Sequence, residues 1–203
     1  MAVPDSKSDP QNAEEIYKKA EEFWSNASKD IDGMLGGFAS LHTPDIRASK
    51  TFINKLRAKN FLSGSDCAAD CGAGIGRVTK HLLLPLFKNV VMVEPVAELL
   101  EKSKFCEFAI VKPYCPFVSR KRCGLTENGV IVFKDNLSSQ QESEFDCEDN
   151  SWTRPEPLVR SLFERAGLRV VAENLQTGFP AGMYKVKMFA LKPERRSAEK
   201  ESS

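Results

Sequence analysis

Apolar residues recur at three- and four-residue spacing through Ile16, Ala20, Phe23, Trp24 and Ala27, and again through Ile46, Phe52, Ile53 and Leu56. That period predicts amphipathic helices over Ala13–Ala27 and Asp45–Ala58. The pattern then changes. Cys67–Asp70 is a short run of small residues, and Val90–Val93 and Gly129–Phe133 are almost wholly apolar, as buried parallel strands are. Between them, Val78, Leu82, Leu83 and Leu86 mark a helix over Ile75–Phe87, which Pro85 is predicted to kink or end. Val96–Lys104 reads as one more helix. Arg154–Ala166 reads as another, with two prolines in its first turn and Gly167 as its stop. Arg169–Glu173 and Tyr184–Leu191 are predicted as a final antiparallel pair of strands. This alternation predicts an open α/β sheet with helices on both faces.

The most specific signal lies between the first strand and its helix, in Asp70-Cys71-Gly72-Ala73-Gly74-Ile75-Gly76-Arg77. Glycines at alternating positions there let backbone approach a ligand closely, because no Cβ intervenes. The next strand ends in Glu94, where nucleoside-binding sheets place an acid on the ribose hydroxyls. The pair predicts a nucleoside cofactor bound across two adjacent strand ends. A nicotinamide site calls for G-x-G-x-x-G, and the even spacing here disfavours it. A second glycine-rich stretch, Asp32–Phe38, surrounds Met34 and Leu35. It reads either as a turn tucked on the core or as a lid over the cofactor site.

Composition narrows the class. The 203 residues suit one domain, read as 13–192 between disordered ends at 1–12 and 193–203. A net charge of +1 makes no bulk electrostatic case for nucleic acid or an anionic membrane. No apolar run reaches the ~18 residues of a spanning helix, and the polar N-terminus does not resemble a signal peptide, so an intracellular protein is expected. Six cysteines contain no C-x-x-C pair, and the histidines are His42 and His81 alone. No metal site or disulfide is expected, and Cys67 and Cys71 read as small buried side chains.

Four segments together resemble the protein α-N-terminal methyltransferase family, whose members use S-adenosylmethionine to methylate Xaa-Pro-Lys N-termini. They are Phe23-Trp24 with Asp32–Phe38; Asp70–Arg77 with Leu82-Leu83-Leu84-Pro85-Leu86-Phe87; Gly129–Asn136; and Asp146 to Tyr184 onward. The resemblance implies a class I S-adenosylmethionine-dependent methyltransferase fold. It implies cofactor contacts from Trp24, Gly72, Arg77, Glu94, Pro95 and Val96, with Arg77 on the methionine carboxylate and Glu94 standing for the family's aspartate. It implies a substrate groove bounded by Leu35 and Leu41 and completed by Asn136, Asp146, Asp149, Ser151 and Tyr184. Asn136 and Asp149 are implied as catalytic, holding the amine and taking its proton. The implied partners are protein tails beginning Xaa-Pro-Lys or Xaa-Pro-Arg, met in the cytoplasm and nucleus. Read without the resemblance, Asp135-Asn136 is a turn after a strand, and Asp146–Asp149 a solvated acidic loop.

The chain departs from the family between Lys104 and Gly129. A complete methyltransferase sheet needs strand, helix, strand and helix there, and 105–128 is too short to hold them. At most one strand, Phe108–Val111, is predicted. Adenine contacts, a tryptophan for the substrate proline and a proton-accepting histidine, which the family carries in this stretch, have no match. The fold is therefore expected to be truncated in its central strands, as in a splice variant or gene-model fragment. The alternative function is a binding module that holds protein N-termini without turnover.

Overall fold

The computed structural model describes residues 10–103, 109–111, 125–126 and 129–194. The tails at 1–9 and 195–203, and most of 105–128, lie outside the described residues, as do Cys106, Cys115 and Cys123.

Helix α1 spans Pro10–Asn26 and α2 spans His42–Ala58. Both begin earlier than the periodicity marks. Pro44 stands in the first turn of α2, where a missing N–H costs nothing. Strands β1 (Cys67–Cys71), β2 (Asn89–Glu94) and β3 (Ala109–Val111) form a parallel sheet in the order β1-β2-β3. The helix expected over Ile75–Phe87 is replaced by a π turn at Thr79–Leu83, where Leu84 N–H reaches the Thr79 carbonyl at 2.9 Å. Pro85 explains the change: its ring would collide with the carbonyl four residues back, and a wider turn relieves that. Helix α3 is a single turn, Ala97–Leu100, shorter than expected.

The second sheet has five strands in the order β5-β6-β4-β8-β7. They are β4 (Ile131–Ser138), β5 (Glu144–Asp146), β6 (Ser151–Pro155), β7 (Leu168–Leu175) and β8 (Lys185–Pro193). Strand β8 runs antiparallel to both β4 and β7, as expected for the final pair. Helix α4, Glu156–Arg165, packs beside it. Alternation along β8 shows how both faces are covered. Phe189 and Leu191 join Val159 and Phe163 of α4 in one core cluster, while Met188 and Ala190 join Phe52 and Leu56 of α2 in another. Strand β4 continues through Lys134, Asp135 and Asn136, so these residues are sheet and not the turn that closes it. The β5–β6 hairpin carries no apolar run and was not expected.

The two sheets are separate: no hydrogen-bonded strand joins β1 to β4 among the described residues. The consequence is visible on β1. Its Cys67, Ala69 and Cys71 share one face, and all three are exposed. Burial of Cys67 and Cys71 was expected; the structure corrects this, because no described helix or strand covers that face.

Candidate cofactor and substrate site

Gly72, Gly74 and Gly76 all adopt left-handed backbone, with φ of 73, 53 and 78°. A side chain would be strained at each, which explains three glycines where one tight turn would need fewer. Gly72 N–H donates to the Val93 carbonyl at 2.9 Å, and Ala73 N–H to the same oxygen at 3.2 Å. The turn after β1 is thereby folded against the end of β2. Glu94, 5% exposed, accepts Gly74 N–H on Oε2 at 2.9 Å and Val96 N–H on Oε1 at 3.0 Å. Gly72, Arg77, Glu94, Pro95 and Val96 are thus brought to one end of the parallel sheet, as the sequence implied. A Cβ built on Gly72 would meet nothing within 4 Å, so open space lies in front of that backbone for a ligand.

Arg77 is held from a direction the sequence did not predict. Its Nη1 donates to Asp45 Oδ2 at 2.7 Å and lies 3.4 Å from His42 Nδ1. His42 in turn packs edge-on against His81, ring centroids 4.7 Å apart. Burial chiefly, with the Arg77 charge second, holds the His42 imidazole below its ordinary pKa, so it stays neutral beside the guanidinium. Asp70, just before the glycines, is buried and accepts the Thr79 hydroxyl at 2.6 Å. Burial pushes the Asp70 carboxyl up despite that bond.

The Asp32–Phe38 stretch is ordered by its own acids. Asp30 Oδ1 accepts Gly33 N–H at 2.8 Å, and Asp32 Oδ1 accepts Ala39 N–H at 3.0 Å. Met34 lies over the glycine turn, its sulfur 2.9 Å from where a Gly74 Cβ would stand. The contact sets this stretch against the glycine turn, an arrangement that either reading of the stretch allows. Leu41 is buried and Leu35 half-buried behind it. Trp24, half-buried on α1, sits edge-on to Phe23 at 5.2 Å.

Of the residues that the resemblance assigns to the substrate, Asn136, Asp146 and Ser151 stand on β4, β5 and β6 of one sheet, and Tyr184 precedes β8 beside the end of β4. Asp146 pairs in register with Ser151. Each acid anchors a turn with one oxygen. Asp146 Oδ1 accepts Glu148 N–H at 2.8 Å, and Asp149 Oδ1 accepts Ser151 N–H at 2.9 Å. Neither Oδ2 has a partner among the described residues, so each carboxylate is fixed in place and presents one oxygen. The acidic stretch is therefore a structured hairpin turn and not merely a solvated loop. A groove of about 430 Å³ runs between this turn and α1, lined by Glu22, Phe23, Asn26, Glu148 and Asn150. Ser151 is the meeting point of this group: its N–H is taken by Asp149 and it pairs with Asp146 across the hairpin. Beside Asn136, Asp135 accepts the Asn136 N–H at 2.8 Å, and burial raises its carboxyl above the usual range. Among the described residues, no group of three or more His, Cys, Asp or Glu is placed to hold a metal ion.

Sequence reasoning gave no role to Asp45, Asp70 or Lys134, and named Met34 only as an apolar residue of the glycine-rich stretch. The available signal for Lys134 was a charge directly after the apolar run Val130–Phe133, which a buried sheet accepts only with a partner.

The model of the AdoMet dependent proline di-methyltransferase family matches residues 12–115 and 107–192. The chain belongs to this family. It is an S-adenosylmethionine-dependent methyltransferase by descent. The Alpha N-terminal protein methyltransferase 1 of Caenorhabditis elegans is 45% identical, over 90% of this chain and 93% of that protein. The N-terminal Xaa-Pro-Lys N-methyltransferase 1-B of Xenopus laevis is 37% identical, over 88% of this chain and 96% of its own length. Among solved structures, a SAM-dependent methyltransferase of Leishmania major superposes with a TM-score of 0.79 at 32% identity, covering 87% of this chain and 83% of that one. A Burkholderia thailandensis methyltransferase with bound S-adenosylhomocysteine superposes at 0.57 with 14% identity, over 96% of this chain and 94% of that one, and shows the fold alone. The fold is class I. The alignment to the worm relative runs over 219 positions, more than the 203 residues of this chain, so that relative carries residues with no counterpart here. The family match comes in two segments that overlap at 107–115, in the stretch between β2 and β4.

The residues at the strand ends fit the family's cofactor. A left-handed glycine turn opens onto free space, a buried acid stands at the end of β2, and a guanidinium retains donors for a carboxylate.

Proposed function

We propose that this chain transfers a methyl group from S-adenosylmethionine to the α-amino group of protein N-termini that begin Xaa-Pro-Lys or Xaa-Pro-Arg. The observation that carries the reading is the pair of turn-anchored carboxylates, Asp146 and Asp149, on the sheet that bears Asn136. The names of the relatives support the same substrate.

Bound S-adenosylmethionine supplies a methyl group on a sulfonium, and the sulfur leaves as a neutral thioether. This chain must then deliver a neutral amine in line with that bond, so positioning carries much of the rate. An α-amino group has a pKa near ~8 and is largely protonated at neutral pH. In this reading Asp149 binds the ammonium through its unpaired Oδ2 and accepts its proton, directly or through water. The exposed Asn136 amide orients the nitrogen lone pair. Asp146 attracts the cationic side chain after proline, and Ser151 and Tyr184 complete the groove. Leu35 and Leu41 bound it from the N-terminal side, and Trp24 covers the cofactor from α1. On the cofactor, Arg77 takes the methionine carboxylate and Glu94 the ribose. Action in the cytoplasm and nucleus is part of the proposal, and fractionation of tagged protein checks it.

The test is incubation with S-adenosylmethionine and an Xaa-Pro-Lys peptide, free or N-acetylated, read by mass spectrometry. Methylation of the free peptide alone is expected. Methylation of the acetylated peptide would move the reaction to a side chain and sink the reading. The alternative, a module that binds tails without turnover, is not favoured by the family match or by the names of the relatives. Peptide binding with no transfer would select it.

A further inference from the structure

Asp45 carries a carboxylate into the interior at 8% exposure, in the first turn of α2. Oδ2 accepts Arg77 Nη1 at 2.7 Å, and Oδ1 accepts Lys134 Nζ. Arg77 follows the glycine turn of the three-stranded sheet, whereas Lys134 stands on β4 of the five-stranded sheet. The two sheets share no backbone pairing among the described residues, so this one side chain ties the cofactor end to the strand that bears Asn136.

The donor inventory separates the two cations. Lys134 also donates to Ser49 Oγ at 2.9 Å and Gln176 Oε1 at 2.8 Å. An ammonium has three donors, and all are used. Arg77 gives only Nη1 to protein; its Nε and Nη2 have no partner among the described residues. The cluster therefore holds two cations and one anion, and it keeps a free guanidinium edge at 14% side-chain exposure. One ligand carboxylate would balance it. Burial alone would raise the Asp45 carboxyl, but the Lys134 and Arg77 bonds outweigh burial and keep it ionised.

We propose that Asp45 is the positioning residue of the cofactor site, gripping Arg77 by one nitrogen so that its free edge meets the ligand's carboxylate. Asp45 does not touch the ligand. The proposal rests on the reading of Arg77 as the carboxylate contact.

The test compares S-adenosylhomocysteine with 5′-methylthioadenosine, which keeps the adenosine and thioether but lacks the amino-acid carboxylate. Both are titrated calorimetrically into the wild-type chain, Asp45→Asn and Asp45→Glu. Wild type is expected to prefer S-adenosylhomocysteine at least tenfold. Asp45→Asn should weaken that ligand at least tenfold and methylthioadenosine less than twofold. Asp45→Glu keeps the charge that two buried cations need to fold, but moves the carboxylate by one methylene; its preference should fall at least threefold. Equal losses for both ligands would reduce Asp45 to a structural role, and an unchanged preference in both variants would remove it from the site. Wild type that binds neither ligand would overturn the cofactor-site reading itself. Wild type that binds both equally would overturn the assignment of Arg77 to the carboxylate, and the proposal with it.

Discussion

Glu94 Oε2 accepts the Gly74 N–H at 2.9 Å, across twenty residues of chain. With Oε1 on Val96 N–H, one buried carboxylate closes the turn after β1 onto the loop after β2. A carboxylate has about four lone-pair positions, so ribose hydroxyls can still be accepted.

Glu94→Gln should be costly for that reason. The amide offers one acceptor where two backbone donors wait, and its NH2 group would face a donor. A buried unsatisfied donor costs about 1–3 kcal/mol. Urea unfolding should show a loss of that size, and calorimetry at least a tenfold weaker affinity for S-adenosylhomocysteine. Unchanged stability would mean that the two N–H groups find other acceptors.

Gly74→Ala should destabilise the chain by about 1–2 kcal/mol, because an L-residue is strained in left-handed backbone. The new methyl would also meet Met34 Sδ. That atom ends a flexible side chain and can move. The double variant Met34→Ala, Gly74→Ala should therefore recover little. Full recovery in urea unfolding would assign the loss to the contact and not to the backbone.

The pH dependence of stability has two opposed contributions. The Asp45 carboxyl is held below its ordinary value, so its contribution is present above the unfolded value of about 4 and is lost as pH falls through the folded one. Asp70 is held above its ordinary value by burial, so its contribution is full below about 4 and is lost as pH rises through the folded value. Asp45→Asn should flatten the acid limb of a stability–pH curve. Asp70→Asn, which still offers an oxygen to Thr79, should remove the decline above it and leave stability at pH 7 equal or higher. A marked loss at pH 7 for Asp70→Asn would show that the ionised form is the one the fold needs.

Asp149→Asn keeps an Oδ1 for Ser151 N–H, so the hairpin turn should survive. What is lost is the negative oxygen. Turnover of an Xaa-Pro-Lys peptide should fall about 10²-fold or more, with a smaller change in peptide affinity. A fall in affinity with turnover per bound peptide preserved would make Asp149 a recognition residue.

Legibility in the sequence followed the range of the interaction. The glycine turn, Glu94 and the antiparallel pair β7 and β8 were readable because they follow from residue type and chain spacing over short stretches. Pro85 was marked as a disturbance, though not as the π turn it produces. The β5–β6 hairpin was missed because its strands are short and polar. The burial of Cys67 and Cys71 was misjudged because a small apolar strand implies cover on both faces, and cover is supplied by other elements.

By itself the sequence determined the methyltransferase ancestry, the left-handed glycine turn, the acid at the end of β2 and the shortened middle. All four are properties of adjacent residues or of chain length. Only the tertiary structure decided what holds Arg77, what lies over Gly74, and that β1 and β4 fall in different sheets among the described residues. Asp45 meets Arg77 and Lys134 across 32 and 89 residues of chain. No local spacing encodes such a meeting, because it depends on how α2 packs against β8 and the π turn at Thr79–Leu83.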